Sequence, residues 1–377
     1  MKNSILVLVA ICSLTLQACG QQPSEQQAPV AIPTAEQSSP VRLTLTDFTD
    51  VASATIDGVV HIKTEMTKLT PLYQSFFGFI IQQGMQRQTY SAYGSGVIIT
   101  ADGYILTNNH VVQDAERITV TLNDKRELPA RLVGNDPATD LAVVKVDADG
   151  LTYIPFGNSD KVKVGEPVLA IGNPFNLTST VTSGIISAKA RNMHIIENNQ
   201  TSETPLESFL QTDAAVNSGN SGGALVNSAA QLVGIVTAIA SGNGFYTGYS
   251  FAIPSNLAVK VAGDLQRYGY VQRGYLGLQV AEVDAELARK TGARAIKGLY
   301  VAKVNEDCAA DKAGIRQGDI ILRVAGKDVN TFAEMMEELG LFSPGNEVEV
   351  DYERGGHGYT VNVTLLNSQG NTQIIRK

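Results

Sequence analysis

The chain has 377 residues, of which 44% are hydrophobic and 18% charged, and its formal net charge is −8. That length allows two or three domains with sizeable cores, and the acidic balance gives no support to nucleic-acid binding. With Cys12 and Cys19 in the N-terminal segment, Cys308 is left alone, so a processed chain has no disulfide framework, and no paired Cys or His spacing suggests a metal site.

Residues 1–18 read as a secretory signal: Lys2 is the only charge, residues 5–16 form an apolar run, and small residues follow. The run is too short for an ordinary membrane-spanning helix. Leu16-Gln17-Ala18-Cys19 resembles a bacterial lipobox. By that resemblance residues 1–19 are a lipoprotein-type signal segment and Cys19 is the lipidated residue; an ordinary signal peptide with an incidental cysteine is the alternative. Gly20 in place of Asp implies, by the same resemblance, sorting to the outer membrane of a Gram-negative cell. Residues 20–40, rich in Gln, Ser, Pro and Ala, cannot bury apolar surface and read as a flexible tether.

From residue 41 the pattern is β-rich. Short apolar runs separated by turn residues are expected as strands at 59–63, 96–100, 118–122, 141–146, 167–171, 181–188, 232–237 and 249–253. Many short strands with little helix suggest a sandwich or barrel. Residues 64–92 interrupt the pattern and carry the apolar cluster Phe76-Phe77-Gly78-Phe79-Ile80-Ile81, which packs on its own barrel or meets a partner surface. Residues 255–270 place Leu257, Val261 and Leu265 at helical spacing, a closing helix and linker. Residues 331–341 are an amphipathic helix candidate.

The stretch Gly219-Asn220-Ser221-Gly222-Gly223 reads as a tight turn in which glycine lets the main chain approach a ligand closely. The amides of Gly219 and Ser221 can point at one spot, as an oxyanion requires. A serine hydroxyl is a poor nucleophile alone and needs a base with a group to orient it. His110 follows the run at 96–99, and Asp140 heads the run at 141–146. The order His, Asp, Ser is one of several that build the same catalytic geometry.

Thr107-Asn108-Asn109-His110-Val111-Val112, the stretch 139–146 (TDLAVVKV) and the stretch 209–227 (FLQTDAAVNSGNSGGALVN) resemble the HtrA/Deg family of serine proteases, with further matches at Ile171-Gly172-Asn173-Pro174-Phe175, 183–188 and 251–254. The resemblance implies a mainly β protein: a chymotrypsin-like double β-barrel protease domain at 41–270, then one α+β PDZ domain at 271–366, with 367–377 as a C-terminal tail. His110, Asp140 and Ser221 would be the catalytic residues, with the oxyanion on the amides of Gly219 and Ser221. Ala215 and Val216, with Ala240 by match, would line a specificity pocket for small apolar side chains. Ser218 stands where the family frequently has Pro, which leaves that loop more unfolded freedom. No cofactor is called for, and no nucleotide-binding loop is present.

In the second domain the matching carboxylate loop is Tyr275-Leu276-Gly277-Leu278, which would hold the C-terminus of a peptide added as a strand. Arg191 occupies the position of a regulatory arginine, on a loop (189–207) longer than the usual pattern; a solvated charge is the alternative. Cys308 reads as a partly buried small residue. The implied protein is an ATP-independent periplasmic endopeptidase, homotrimeric and lipid-anchored, acting on unfolded or misfolded proteins. A regulatory protease with one dedicated substrate, and a PDZ-based chaperone or scaffold, are the competing readings.

Overall fold

The computed structural model describes residues 47–76, 79–174, 179–193, 196, 205–239 and 248–376, with 72–76, 79–84, 238 and 239 described by backbone alone. The lipobox with Cys19, the tether, Phe77 and Gly78 of the apolar cluster, Ala240 and most of the 192–204 segment lie outside the described residues.

A short helix, α1 (Thr49–Thr55), leads into twelve strands: β1 (Val59–Phe76), β2 (Phe79–Ile98), β3 (Tyr104–Asn108), β4 (Arg117–Thr121), β5 (Glu127–Asp136), β6 (Leu141–Val146), β7 (Pro167–Gly172), β8 (Thr180–Arg191), β9 (Phe209–Thr212), β10 (Ala224–Asn227), β11 (Leu232–Ile239) and β12 (Ser250–Pro254). A single helical turn, α2 (Asn109–Val112), follows β3. The strands close into two barrels, β1-β2-β3-β6-β5-β4 and β10-β11-β12-β9-β8-β7. Closure leaves no unpaired edge. Strand alternation sends one face of each strand into its own barrel (Val60, Ile62, Ile105 and Val144 in the first; Val168, Leu210 and Val233 in the second). The other face of several strands is also apolar, and Val97, Leu106, Leu141, Ile171, Ala224 and Ile235 form one continuous core between the barrels.

Helix α3 (Ser255–Tyr268) closes this inter-barrel core with Leu257, Val261 and Leu265, all at most 2% exposed. It stops at Gly269, whose φ of +69° is the left-handed cap that glycine takes without strain. The remaining chain builds a separate sheet, β13 (Leu278–Glu282), β14 (Leu299–Val304), β15 (Ile320–Val324), the two-residue β16 (Lys327–Asp328), β17 (Glu347–Arg354) and β18 (His357–Thr364), in the order β13-β14-β15-β17-β18 with β16 on β15. Helices α4 (Ala285–Thr291), α5 (Ala309–Lys312) and α6 (Phe332–Gly340) accompany it. Thr331 and Glu334 form a capping box at the start of α6.

The segment at 64–92 corrects the sequence reading. It does not interrupt the strands; β1 and β2 run on through it as one two-stranded ribbon, in register from Val59↔Val97 to Phe76↔Phe79 with one irregularity at Leu72/Tyr73. Strand β4 accompanies β1 only as far as Glu65↔Arg117. The eleven residues from Met66 to Phe76 therefore carry the ribbon about 35 Å beyond the barrel. Its side chains Leu69 and Met85 are each 61% exposed.

The two-barrel body and the C-terminal sheet are joined by polar contacts, one of them a buried ion pair. Arg273 pairs with Asp136, which also accepts from Thr139 Oγ1, and both charged side chains are nearly inaccessible. Ser208 Oγ donates to Glu337 Oε2 on α6 at 2.5 Å. Lys327 Nζ bridges Asp160 (2.8 Å) and Glu338 (2.7 Å). Breaking a buried ion pair from one side leaves an uncompensated charge, which costs more than the pair contributes. Arg273→Met alone is expected to lower stability by about 3–5 kcal/mol in urea unfolding. The double variant Arg273→Met/Asp136→Leu should recover most of that loss.

Candidate active site

Helix α2 is one turn long and presents His110 at the mouth between the barrels, with Asn109, Val111 and Val112 buried behind it. Asp140 sits in the tight turn joining β5 to β6 and adopts φ +57°. A left-handed non-glycine residue costs about 1–3 kcal/mol and persists only where its surroundings over-determine it. Here they do. The Asp140 carbonyl accepts from Asn109 N and from Asn108 Nδ2, both at 3.0 Å. Its Oδ1 accepts from the backbone N–H of His110 at 3.0 Å. Its Oδ2 accepts from His110 Nδ1 at 2.8 Å and from Thr237 Oγ1 at 2.8 Å.

This arrangement fixes the imidazole. A carboxylate only accepts, so Nδ1 carries the proton and Nε2 keeps its lone pair for the solvent side. Desolvation pushes the His110 pKa down and is the largest single influence; the hydrogen bond and the negative charge of Asp140 together outweigh it, leaving the value raised. A base must be neutral to take a proton. With His110 as the base, the rate is expected to fall as pH drops through the raised value, placing the acid limb of kcat/KM above the ordinary histidine value of about 6.5. A pH–rate profile checks this.

The serine turn is assembled from three elements. Gly222 N donates to Val236 O (2.8 Å), Gly223 N to Asn220 O (2.9 Å) and Ser95 N to Ser221 O (2.8 Å). Ser95 Oγ donates to Gly219 O at 2.7 Å and accepts from Asn173 N at 2.8 Å. The glycines are required sterically: a Cβ on Gly222 would lie 2.1 Å from Ser95 O, and one on Gly223 2.3 Å from Ile171 O. Gly219 adopts φ +95° against Pro174. Among the described residues, the amides of Gly219 and Ser221 donate to no protein acceptor. Both are free to bind an oxygen anion.

Ser221 Oγ donates to Thr237 O at 3.2 Å. Thr237 thus touches both ends of the constellation, through its hydroxyl to Asp140 and through its carbonyl to Ser221. Sequence reasoning missed Thr237 and Ser95. Thr237 is a polar residue near the end of an otherwise apolar strand, the one signal that could have singled it out.

The remaining expected site residues are dispersed. Ala215 is half-buried, its carbonyl accepting from Thr182 Oγ1 at 2.8 Å. Val216 is 2% exposed and packs in the second-barrel core. Arg191 is exposed at the end of β8, its Nε donating to Gln211 Oε1 at 3.2 Å. In the C-terminal sheet, Tyr275 N donates to Leu366 O (2.8 Å), Leu276 is buried, and Gly277 takes φ +81° with Cys308 packed where its Cβ would be. Cys308 is partly buried. Leu278 then opens β13, which ends the sheet and so leaves one edge unpaired, the geometry that strand addition needs.

Comparison with known proteins matches residues 94–235 to the trypsin-like peptidase domain family and residues 274–365 to the PDZ domain family. A probable periplasmic serine endoprotease DegP-like of Chlamydia pneumoniae is 43% identical over 294 residues, 78% of this chain and 59% of that protein. The one of Ectopseudomonas mendocina is 41% identical over 351 residues, 87% of this chain and 72% of that protein. The periplasmic serine endoprotease DegP of Salmonella typhimurium is 43% identical over 287 residues, 76% of this chain and 59% of that protein. The chain thus spans about three fifths of the length of the Chlamydia and Salmonella relatives. Among solved structures, the HtrA-type protease AlgW with tripeptide is 38% identical with a TM-score of 0.65, covering 85% of this chain and 97% of that one. The serine endoprotease from Yersinia pestis is 37% identical with a TM-score of 0.53, covering 86% and 99%.

Proposed function

The chain belongs to the DegP-like HtrA family of periplasmic serine endoproteases, and from that premise we propose that it is an ATP-independent endopeptidase of the cell envelope with His110, Asp140 and Ser221 as its catalytic residues. The observation that carries this reading is the continuous wiring Asp140–His110 and Asp140–Thr237–Ser221 at the mouth between the barrels. Ser221 Oγ leaves the Thr237 carbonyl and turns to His110 Nε2, which takes its proton as the oxygen attacks a peptide carbonyl. The resulting oxyanion sits on the amides of Gly219 and Ser221, and His110 returns the proton to the leaving amine. Asp140 holds the Nδ1 proton throughout.

The small, half-buried Ala215 would floor the pocket without charge, so the bond is cut after Val or Ala. Apolar pockets discriminate by only about 1–3 kcal/mol per group, and the preference is loose. Such side chains are exposed in unfolded proteins, which are the substrates of a quality-control enzyme. Cys19 tethers the enzyme by lipid, to the outer membrane by the Gly20 signal. The ribbon of β1 and β2, with two exposed apolar side chains on an arm longer than the barrel needs, serves trimer assembly.

A second reading is favoured by one contact set. Helix α6 lies beside the open edge strand β13, Phe332 N donating to Glu282 Oε1 at 3.3 Å, and it also meets the barrels through Ser208–Glu337. A C-terminal peptide held by the Tyr275–Leu278 loop would touch the element that contacts the protease. That makes a peptide-regulated enzyme with a narrow substrate range the alternative to general clearance. Arg191 would relay the signal. The test is cleavage of unfolded casein by the full chain, with Ser221→Ala as control, with and without peptides ending in apolar residues. Cutting without peptide supports clearance; cutting only with peptide supports the regulated enzyme. Wild type and Ser221→Ala behaving alike would overturn the protease reading in favour of a chaperone or scaffold.

A further inference from the structure

A cavity of about 650 Å³ lies on the outer face of the first barrel, away from the barrel interior. The strand register sets it out in rows. His61 of β1 stands beside Ser95 of β2 and Thr121 of β4, and Thr121 in turn beside Glu127 of β5. The next row holds Lys63, Tyr93 and Thr119, and the third holds Glu65 and Arg117.

The first row is joined to the serine turn. Ser95 binds both Ser221 O and Gly219 O, and His61 Nδ1 bonds Asn173 O at 2.8 Å while Asn173 N bonds Ser95 Oγ. His61 is buried and stacks on Tyr93 at 5.7 Å. Burial lowers its pKa, so it faces the cavity as a neutral wall. The third row lies four residues farther along β1, about 13 Å away.

The direction of a bound chain follows from the proposed chemistry. His110, which hands the proton to the leaving amine, belongs to the first barrel, whereas the 214–216 pocket floor belongs to the second. The part of a substrate that follows the cut bond therefore departs over the first barrel, and the β2 strand beside the serine turn leads into this cavity. Lys63 is bonded to Glu65 at 2.7 Å and is largely neutralised. Glu127 and Arg117 form no ion pair with any described residue, although Glu127 acts on Lys63 and Arg117 on Glu65 across the strands, so they are the least engaged charges facing an occupant.

We infer that this cavity receives the substrate polypeptide beyond the scissile bond, with Glu127, in the row joined to the serine turn but three strands from Ser95, selecting a basic side chain and Arg117, two rows on, an acidic one about four residues later. The inference rests on the protease reading. Its test uses the full chain and two internally quenched peptides that share one sequence before the cut. After it, one carries Lys near and Glu far, and the other the reverse. The first is expected to have a kcat/KM about fivefold higher, the worth of an exposed ion pair. Glu127→Lys/Arg117→Glu should reverse the order, with enzyme concentration set by fluorophosphonate labelling of Ser221. Equal rates for the two peptides, or an order unchanged in the variant, would overturn the cavity assignment alone. No cleavage and no labelling of Ser221 would remove the protease reading, and this inference with it.

Discussion

Ser221→Ala is expected to lower kcat on a chromogenic peptide ending in Val or Ala by about a millionfold, and His110→Ala by about the same. The double variant should lose no more than either single. This non-additivity follows from the geometry: the imidazole has no proton to take without the hydroxyl, and the hydroxyl, resting on the Thr237 carbonyl, has no base without the imidazole. Residual catalysis of about 10³–10⁴ over water should survive in each variant, because the amides of Gly219 and Ser221 still bind the oxyanion. The controls are thermal midpoints. Ser221 is a partly exposed turn residue whose side chain makes one bond to a carbonyl, so its removal should leave stability within about 0.5 kcal/mol of wild type. A variant that kept most of the activity would show that another nucleophile does the work.

The sequence disclosed the parts of the site that glycine and local order dictate. Gly219, Gly222 and Gly223 have backbone angles or neighbours that no other residue tolerates, so their spacing around Ser221 is visible in one dimension. The run at 141–146 is β6 to the residue, and Leu257, Val261 and Leu265 mark α3, because burial on one face writes a period into the sequence. What stayed hidden depends on pairing. Strand β5 does alternate Leu128, Ala130 and Leu132 with other residues, but Pro129 inside the run demotes a strand reading and only Gly134 and Asp136 of it are fully buried. Strands β9 and β10 have four residues each, too few for a period. The continuation of β1 and β2 through 64–92 leaves no pattern in the sequence, because its described side chains at 66–71 and 85–92 are exposed or half-buried and no buried face imposes one. Thr237 and Ser95 act through contacts across 97 and 124 residues of chain, separations that local reading does not reach.

Asp140→Asn is expected to lower kcat by about 10⁴-fold while leaving the fold intact. The backbone argument comes first. At φ +57° most replacements add strain, but asparagine is among the residues that visit the left-handed region readily, so the turn holding Asn109 N and Asn108 Nδ2 should persist. The side chain is another matter. Oδ1 faces a backbone donor, His110 N, which has no alternative role, so the amide oxygen must stay there. The amide nitrogen then takes the place of Oδ2, facing His110 Nδ1 and the Thr237 hydroxyl. The hydroxyl can rotate and accept. The imidazole can accept only by moving its proton from Nδ1 to Nε2, and Nε2–H cannot take a proton from Ser221. Geometry is kept and the tautomer is lost. The acid limb should shift as well, since the hydrogen bond and charge that raise the His110 pKa are both removed while the desolvation that lowers it remains. The limb should move to lower pH even as the plateau falls. A fall in plateau with an unmoved limb would mean that Asp140 acts on the fold of the turn and not on the imidazole.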